Sequence, residues 1–434
     1  MRIHLSFQHA FQRYRFASCI LGVFLSVHFF CTGEITLGGD KQKPVNKEIS
    51  LEEALTIAIK NNPQLQSARD FVDAAAGSLR QSKLYPNPVL ELLAEEVPVD
   101  EIGLNESQNL VAIVQPIITG GKRKLGIEVS RKEKEKSEFD RDGVLLDVIA
   151  DTKKAFYEVV ADQKGLFIAR EVEKIAKNIY ESEGKRFDAG EVPVTNVLRA
   201  EVELSKAKNL VFRAVSNLQN SGKELLTVMG IPDETLAGVT EKLVTEPAEL
   251  SLPRLESNMR NNQPLLKALK KNIEIAETQT TLEKRQVIPD IDVIAGYKRL
   301  SREEIDTVQL GIAVPVPLLN RNQGNIQRSK ALLQKAKHDY ESVYNNLLSQ
   351  LKKNFNIYTA ERKRILEYRN KILPKVEESF LLITRGYKEG EFSYIDLLDA
   401  HRTWAEMRIS YIDSLKNLNL LIADLERIAV TKVQ

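Results

Sequence analysis

The sequence predicts a mainly α-helical protein with a small β part, in which one long helix hairpin is used twice. Three observations carry this reading. Arg186-Phe187-Asp188-Ala189-Gly190-Glu191 is echoed by Gly386-Tyr387-Lys388-Glu389-Gly390-Glu391, and the matches run on through Leu198 with Leu398 and Ala200 with Ala400. Self-similarity at a fixed offset marks a duplicated unit. A proline-free run from Lys122 to Arg186 carries Leu145, Val148, Thr152, Phe156, Val159, Gln163 and Leu166 at the three-four spacing of a coiled-coil seam. A helix of about 65 residues would be about 100 Å long, far more than a compact domain requires. Finally, four short β-prone runs bounded by prolines stand in pairs ahead of the two long helical segments.

Composition excludes several classes. The chain has 434 residues, 28% of them charged and 6% aromatic, with a net charge of +2. So even a balance offers no one-signed basic face, and nucleic acid is not expected as a partner. Cys19 and Cys31 are the only cysteines, so the body has neither a disulfide nor a cysteine metal site. Beyond residue 30 the only histidines are His338 and His401. No Gly-rich phosphate loop and no catalytic constellation is present, so neither an enzyme nor a cofactor is expected.

Taken in order, the chain opens on Arg2, Arg13 and Arg15, then an apolar run from Phe16 to Phe30, then Thr32 and Gly33. The run is about 15 residues, short of the roughly 20 that span a bilayer, and reads as an export signal over residues 1–33. Cys31 raises the alternative of lipid attachment at the processing site. Phe30 stands where a small residue normally precedes such a cysteine, so an ordinary cysteine is the favoured reading. A polar arm (34–48) follows.

The first repeat is placed at 49–230. Ser50 and Glu53 form a capping box for a short helix that ends at Asn61-Asn62-Pro63. A second helix runs to about Leu84, where Pro86 and Pro88 stop it. The β-rich runs Val89–Ala94 and Asn109–Gln115 make a hairpin within about 88–116, and Gly120-Gly121 launches the long helix. Its tip lies at about 186–196, and a helix returns from about Thr195 to Met229. A linker (231–252) leads to the second repeat, placed at 253–429, where Asn261-Asn262-Gln263-Pro264 echoes the earlier break. Strands near 291–297 and 307–314 fall within about 290–315. A second long helix runs from about Gly324 to Arg385, interrupted at Pro374, with its tip at about 386–396. A last helix reaches Ile428, and residues 430–434 are a tail.

In the fourth strand Val308, Leu310, Ile312 and Val314 share one face, against Thr307, Gln309, Gly311 and Ala313. A membrane barrel strand reads this way, lipid outside and water inside. A half-buried soluble sheet gives the same alternation and is the commoner source of it. Four strands cannot close a barrel, and open edges are not viable in lipid, so several chains would have to pool them. Two chains would give eight strands, whose interior side chains fill; three would give twelve, wide enough for a channel.

At this point the chain resembles the TolC-type outer-membrane efflux proteins over residues 49 to 429. The resemblance rests on the duplicated order of helix, hairpin and long helix, the strand exit Gln115-Pro116, and the tip residues Tyr387, Gly390, Asp396, Leu398, Asp399 and Ala400. It implies a homotrimer with an α-helical barrel below a 12-stranded transmembrane β-barrel seated in outer-membrane lipid. It also implies a periplasmic adaptor and an inner-membrane pump, of the resistance-nodulation type, as partners.

The resemblance also assigns residues. Asp396 and Asp399 match carboxylates that ring the periplasmic entrance; spaced by three, they share a helix face, and capping of the last helix is the competing role. Tyr387 matches a tyrosine that helps latch the tip shut. Its acidic partner position holds Asn196 and the latch arginine position holds Phe392, so closure is expected to rest on packing and neutral hydrogen bonds. Residues at Gly190, Glu191, Gly390 and Glu391 are expected to meet the adaptor, although both glycines also suit helix C-caps. His401, one turn from Asp399, lacks a neighbouring ligand and is not expected to bind metal. The function implied is a passive exit duct for metal ions, drugs or other small molecules. A periplasmic adaptor or a coiled-coil scaffold is the alternative; the adaptor would carry one hairpin, and the scaffold would lack the export signal and the proline-bounded strands.

Overall fold

The computed structural model describes residues 48–99, 104 and 106–432. The expected export signal, Cys31, the arm up to residue 47 and the loop around Gly103 and Asn105 lie outside the described residues. Glu48, assigned to the arm, instead opens a strand of two residues, β1 (Glu48–Ile49).

Helix boundaries follow local capping chemistry. α1 (Leu51–Asn61) begins at a capping box in which Glu53 N–H donates to Ser50 Oγ at 3.2 Å and Ser50 N–H donates to Glu53 Oε2 at 2.9 Å. α2 (Pro63–Ser82) starts where the Asn62 side chain accepts from Gln64 and Leu65, with proline at its first position. The hairpin β2 (Val89–Glu95) and β3 (Gln108–Ile117) precedes α3 (Lys122–Asp188), and α4 (Val194–Val228) returns antiparallel to it. The linker holds β4 (Gly238–Val239), which pairs parallel with β1.

The order then recurs: α5 (Leu252–Asn262), α6 (Pro264–Arg285), β5 (Ile291–Leu300) and β6 (Ile305–Ala313). α7 (Gln323–Glu367) passes through a π-helical turn (Tyr368–Ile372) into α8 (Leu373–Glu389), and α9 (Tyr394–Ala429) closes the chain. The two copies brace their return helices alike. Asn62 Nδ2 donates to Val228 O at 2.8 Å, and Gln263 Nε2 donates to Arg427 O and Ile428 O at 3.1 and 3.0 Å. Each amide before a proline thus satisfies last-turn carbonyls that a helix end leaves without partners.

The main core lies at mid-length, where Phe156, Met229, Met259, Leu351, Tyr358 and Leu418 are at most 1% exposed. Of the predicted seam, Val148, Thr152, Phe156 and Val159 are buried there. Two smaller clusters step down toward the tips, one around Val172, Leu204, Phe380 and Trp404 and one around Ala200, Tyr387, Tyr394 and Leu398.

The four longer strands form one antiparallel sheet in the order β2-β3-β5-β6. Its register sorts the side chains. Leu90, Ile113, Ala295 and Leu310 form one row, and Leu92, Val111, Tyr297 and Val308 the next row on the same face. The opposite face holds the rows Glu91, Ala112, Gly296, Gln309 and Leu93, Leu110, Lys298, Thr307. This second face is concave: Leu110 and Ala112 are buried in it, and Lys298 reaches over β3 to Glu95 at 3.1 Å. The convex face leaves Leu310 79%, Val308 77% and Ile312 71% exposed. Among the described residues no helix is long and apolar enough to cross a membrane.

Candidate functional site

Both hairpins turn through the same motif. Gly190 N–H donates to Phe187 O and Glu191 N–H to Arg186 O; Gly390 N–H donates to Tyr387 O and Glu391 N–H to Gly386 O. This pair of bonds ends a helix on a left-handed residue, and Gly190 and Gly390 adopt φ of +77° and +82°. The helix-end role of both glycines is therefore met in full. Glu191 and Glu391 stand exposed beside them, and Glu191 accepts from Arg186 Nε at 3.2 Å.

The second tip adds a capping box. Ser393 Oγ accepts from Asp396 N–H at 3.3 Å, while Asp396 Oδ2 accepts from Ser393 N–H at 2.9 Å and from its hydroxyl at 2.7 Å. Those bonds from Ser393 hold the Asp396 carboxyl below the usual carboxylate range. Asp399 lies one turn further along the same helix, and both carboxylates are exposed. Phe392 lays its ring across Gly386, where any Cβ would run into it.

Between the tips sits a group the sequence reading missed. Glu183, on α3, is 0% exposed, and its carboxylate accepts from Tyr387 Oη of α8. Its second oxygen accepts from Asn196 Nδ2 of α4 at 3.3 Å, and Arg186 Nη1 stands 4.0 Å from the first. The Arg186 guanidinium also lies 5.0 Å above the Tyr387 ring. Tyr387 and Asn196 therefore meet, through a buried carboxylate. The expectation of neutral hydrogen bonds alone is corrected: a charge-assisted bond joins the two hairpins of one chain. Burial and the Glu183 carboxylate drive the Tyr387 hydroxyl well above its ordinary range, and burial first, then Glu183 and Glu203, pushes Tyr394 up to about 12. Both stay protonated at physiological pH.

A signal for Glu183 existed. Ile168, Val172, Ala176 and Ile179 continue the buried seam of α3, and Glu183 falls on its next position. A carboxylate on an apolar seam demands a partner. The partner stands 204 residues away, so no local pattern names it.

His401 is buried against Phe380 and Trp404, and burial depresses its pKa. No group of three or more potential ligands able to hold a metal occurs among the described residues.

The tips, the two long limbs and the curved sheet have counterparts in known proteins. The family model described as outer membrane efflux protein matches residues 54–231 and 255–428. The cobalt-zinc-cadmium resistance protein CzcC of Cupriavidus metallidurans is 27% identical over 88% of this chain and 90% of its own length. The outer membrane protein TolC of Vibrio cholerae is 22% identical over 87% and 91%. Among solved structures, the outer membrane protein VceC of Vibrio cholerae superposes with a TM-score of 0.73 at 16% identity, covering 88% of this chain and 97% of that one. With both repeats matched, the chain belongs to the outer membrane efflux protein family.

Proposed function

We propose that this chain is the outer-membrane exit duct of a tripartite assembly that expels divalent transition-metal cations. Three copies pool their sheets into a 12-stranded barrel, and their long helices form the tunnel beneath it. The sheet is the observation that carries this reading. Its end strands β2 and β6 each have a partner on one side, and its convex face is a field of exposed aliphatic side chains. Lipid tolerates such a sheet only when the edges are closed by neighbours. The cargo class rests on CzcC, whose name records resistance to cobalt, zinc and cadmium. The tips would meet an adaptor that couples the duct to a resistance-nodulation pump.

Two measurements test this. Outer-membrane fractions should hold a heat-modifiable trimer, and loss of the gene should sensitise cells to zinc, cobalt and cadmium. A soluble periplasmic monomer would sink the duct; a trimer without metal sensitivity would sink the cargo.

At the entrance, Asp396 and Asp399 supply six carboxylates per trimer, a setting that favours cations. Replacing both by asparagine should weaken block of single-channel current by trivalent cations about tenfold or more. Because Asp396 is held below the usual range, it keeps its charge as the solution acidifies. The share of block owed to Asp396 should therefore persist to lower pH than an ordinary carboxylate would allow. Unchanged block in the double variant would remove both residues from the pore.

A further inference from the structure

The two long limbs are equal in length and unequal in build. α3 runs 67 residues without a break, whereas its counterpart is divided into 45, 5 and 17 residues that together match it. The division has a local cause. Pro374, second residue of α8, has no N–H for Asn370 O, and its ring crowds that carbonyl. The chain absorbs the conflict by widening one turn, and Leu373 N–H donates five residues back, to Tyr368 O.

The place of this turn is informative. Directly above it the linker clamps α7: Tyr358 Oη donates to Ala248 O at 2.7 Å and Arg362 Nε to Pro247 O at 3.3 Å, while Arg369, within the turn itself, makes an exposed pair with Glu246 at 2.9 Å. Ile365 and Leu351, both 0% exposed, anchor the same stretch in the main core. Below the turn α8 is held chiefly to α9, by Phe380 stacked on Trp404 and by Trp404 Nε1 donating to Glu377 Oε2 at 2.7 Å, and meets the first hairpin through the small cluster around Phe380. Leu381 and Leu382 are more than half exposed, and a groove of ≈ 490 Å³ opens between α8 and α3. Among the described residues, the hydrogen bond from α8 to the first hairpin is that of Tyr387 with Glu183. Below the level of the turn, α9 is tied to that hairpin by the partly exposed pairs Arg402–Glu203 and Arg408–Glu171, which solvent screens more than a buried pair.

We infer that the π-turn Tyr368–Ile372 is the hinge about which α8 and the second tip swing away from the first hairpin, while α7 above it stays clamped by the linker. The first copy, with an unbroken α3, supplies the fixed wall. The unequal limbs thus divide the labour of a duplicated unit. This inference rests on the tip acting as a gate closed through Tyr387 and Glu183.

Hydrogen exchange on the intact trimer in nanodiscs, wild type against Tyr387→Phe, reads the hinge directly, with conductance recorded on the same samples. Tyr387→Phe should raise conductance and speed exchange about tenfold or more in residues 366–390, leaving residues 350–362 and α3 unchanged. Adding Pro374→Ala, which returns the missing donor, should reduce both effects severalfold while leaving the closed trimer of the otherwise wild-type chain intact. If conductance rises but faster exchange spreads evenly up α7 past Tyr358, or stays below Phe380, the hinge is not at this turn. An unaltered response on adding Pro374→Ala would likewise overturn it. If Tyr387→Phe changes neither conductance nor exchange, the gate reading itself fails and takes the hinge with it.

Discussion

Leu310→Arg should abolish stable trimers, while Gln309→Arg, one residue earlier on the same strand, should leave them nearly intact. The two side chains sit on opposite faces of β6. Leu310 lies in the convex row with Leu90, Ile113 and Ala295, and Gln309 lies in the concave row with Glu91, Ala112 and Gly296. An arginine facing the bilayer midplane costs about 2–4 kcal/mol per chain, and three chains carry it at once. That total, roughly 6–12 kcal/mol, is comparable to the whole stability of a typical domain. On the concave face an arginine meets water. The midpoint of heat dissociation on gels checks the pair. Val314→Arg, past the strand end and nearer the interface, should cost only about 0–1 kcal/mol. Equal losses at Leu310 and Val314 would argue for a convex face covered by protein, since a protein core has no such dependence on depth.

Those faces show what can be read from sequence and what cannot. The alternation of Val308, Leu310 and Ile312 is visible in the chain because strand periodicity is local. The lipid-facing field is visible only after register aligns it with Leu90 and Leu92, which lie more than two hundred residues earlier. The long helices were legible for the same local reason: uninterrupted helix formers and a regular seam. β1 and β4 were not, because two residues carry no period, and their pairing depends on a linker folded against α1 and α3. At the tips, Ser393 and Asp396 are three apart and their capping box could be anticipated. Pro374 announced an interruption, but not its form as a widened turn. Glu183 illustrates the harder case. The resemblance points to Asn196 and Phe392, whereas the carboxylate that meets Tyr387 stands on α3.

The Tyr387–Glu183 bond leads to the second large effect: Tyr387→Phe should open the tip. Tyr387 donates to a carboxylate with no exposed surface, and such a bond to a charged group contributes about 1.5–3 kcal/mol net. Phenylalanine keeps the ring packed on Tyr394 and beneath Arg186 but leaves Glu183 with Asn196 at 3.3 Å and Arg186 at 4.0 Å. If the bond exists only in the closed tip, its loss shifts the balance of closed to open roughly 10- to 150-fold per chain. Glu183→Gln keeps an acceptor for the hydroxyl and removes the charge, so it should open the tip less. The double variant should add little to Tyr387→Phe, because both changes remove one shared interaction. Planar-bilayer conductance of the purified trimer measures all three. The sign with pH also follows. Folding raises the Tyr387 pKa, so the hydroxyl's contribution is complete below the ordinary tyrosine value of about 10 and declines only as pH climbs beyond it. Closure through this bond should be constant from pH 6 to about 9. Equal conductance of wild type and Tyr387→Phe would show that the tip is held shut by other contacts, and strictly additive effects of the two single changes would show that Tyr387 and Glu183 act apart.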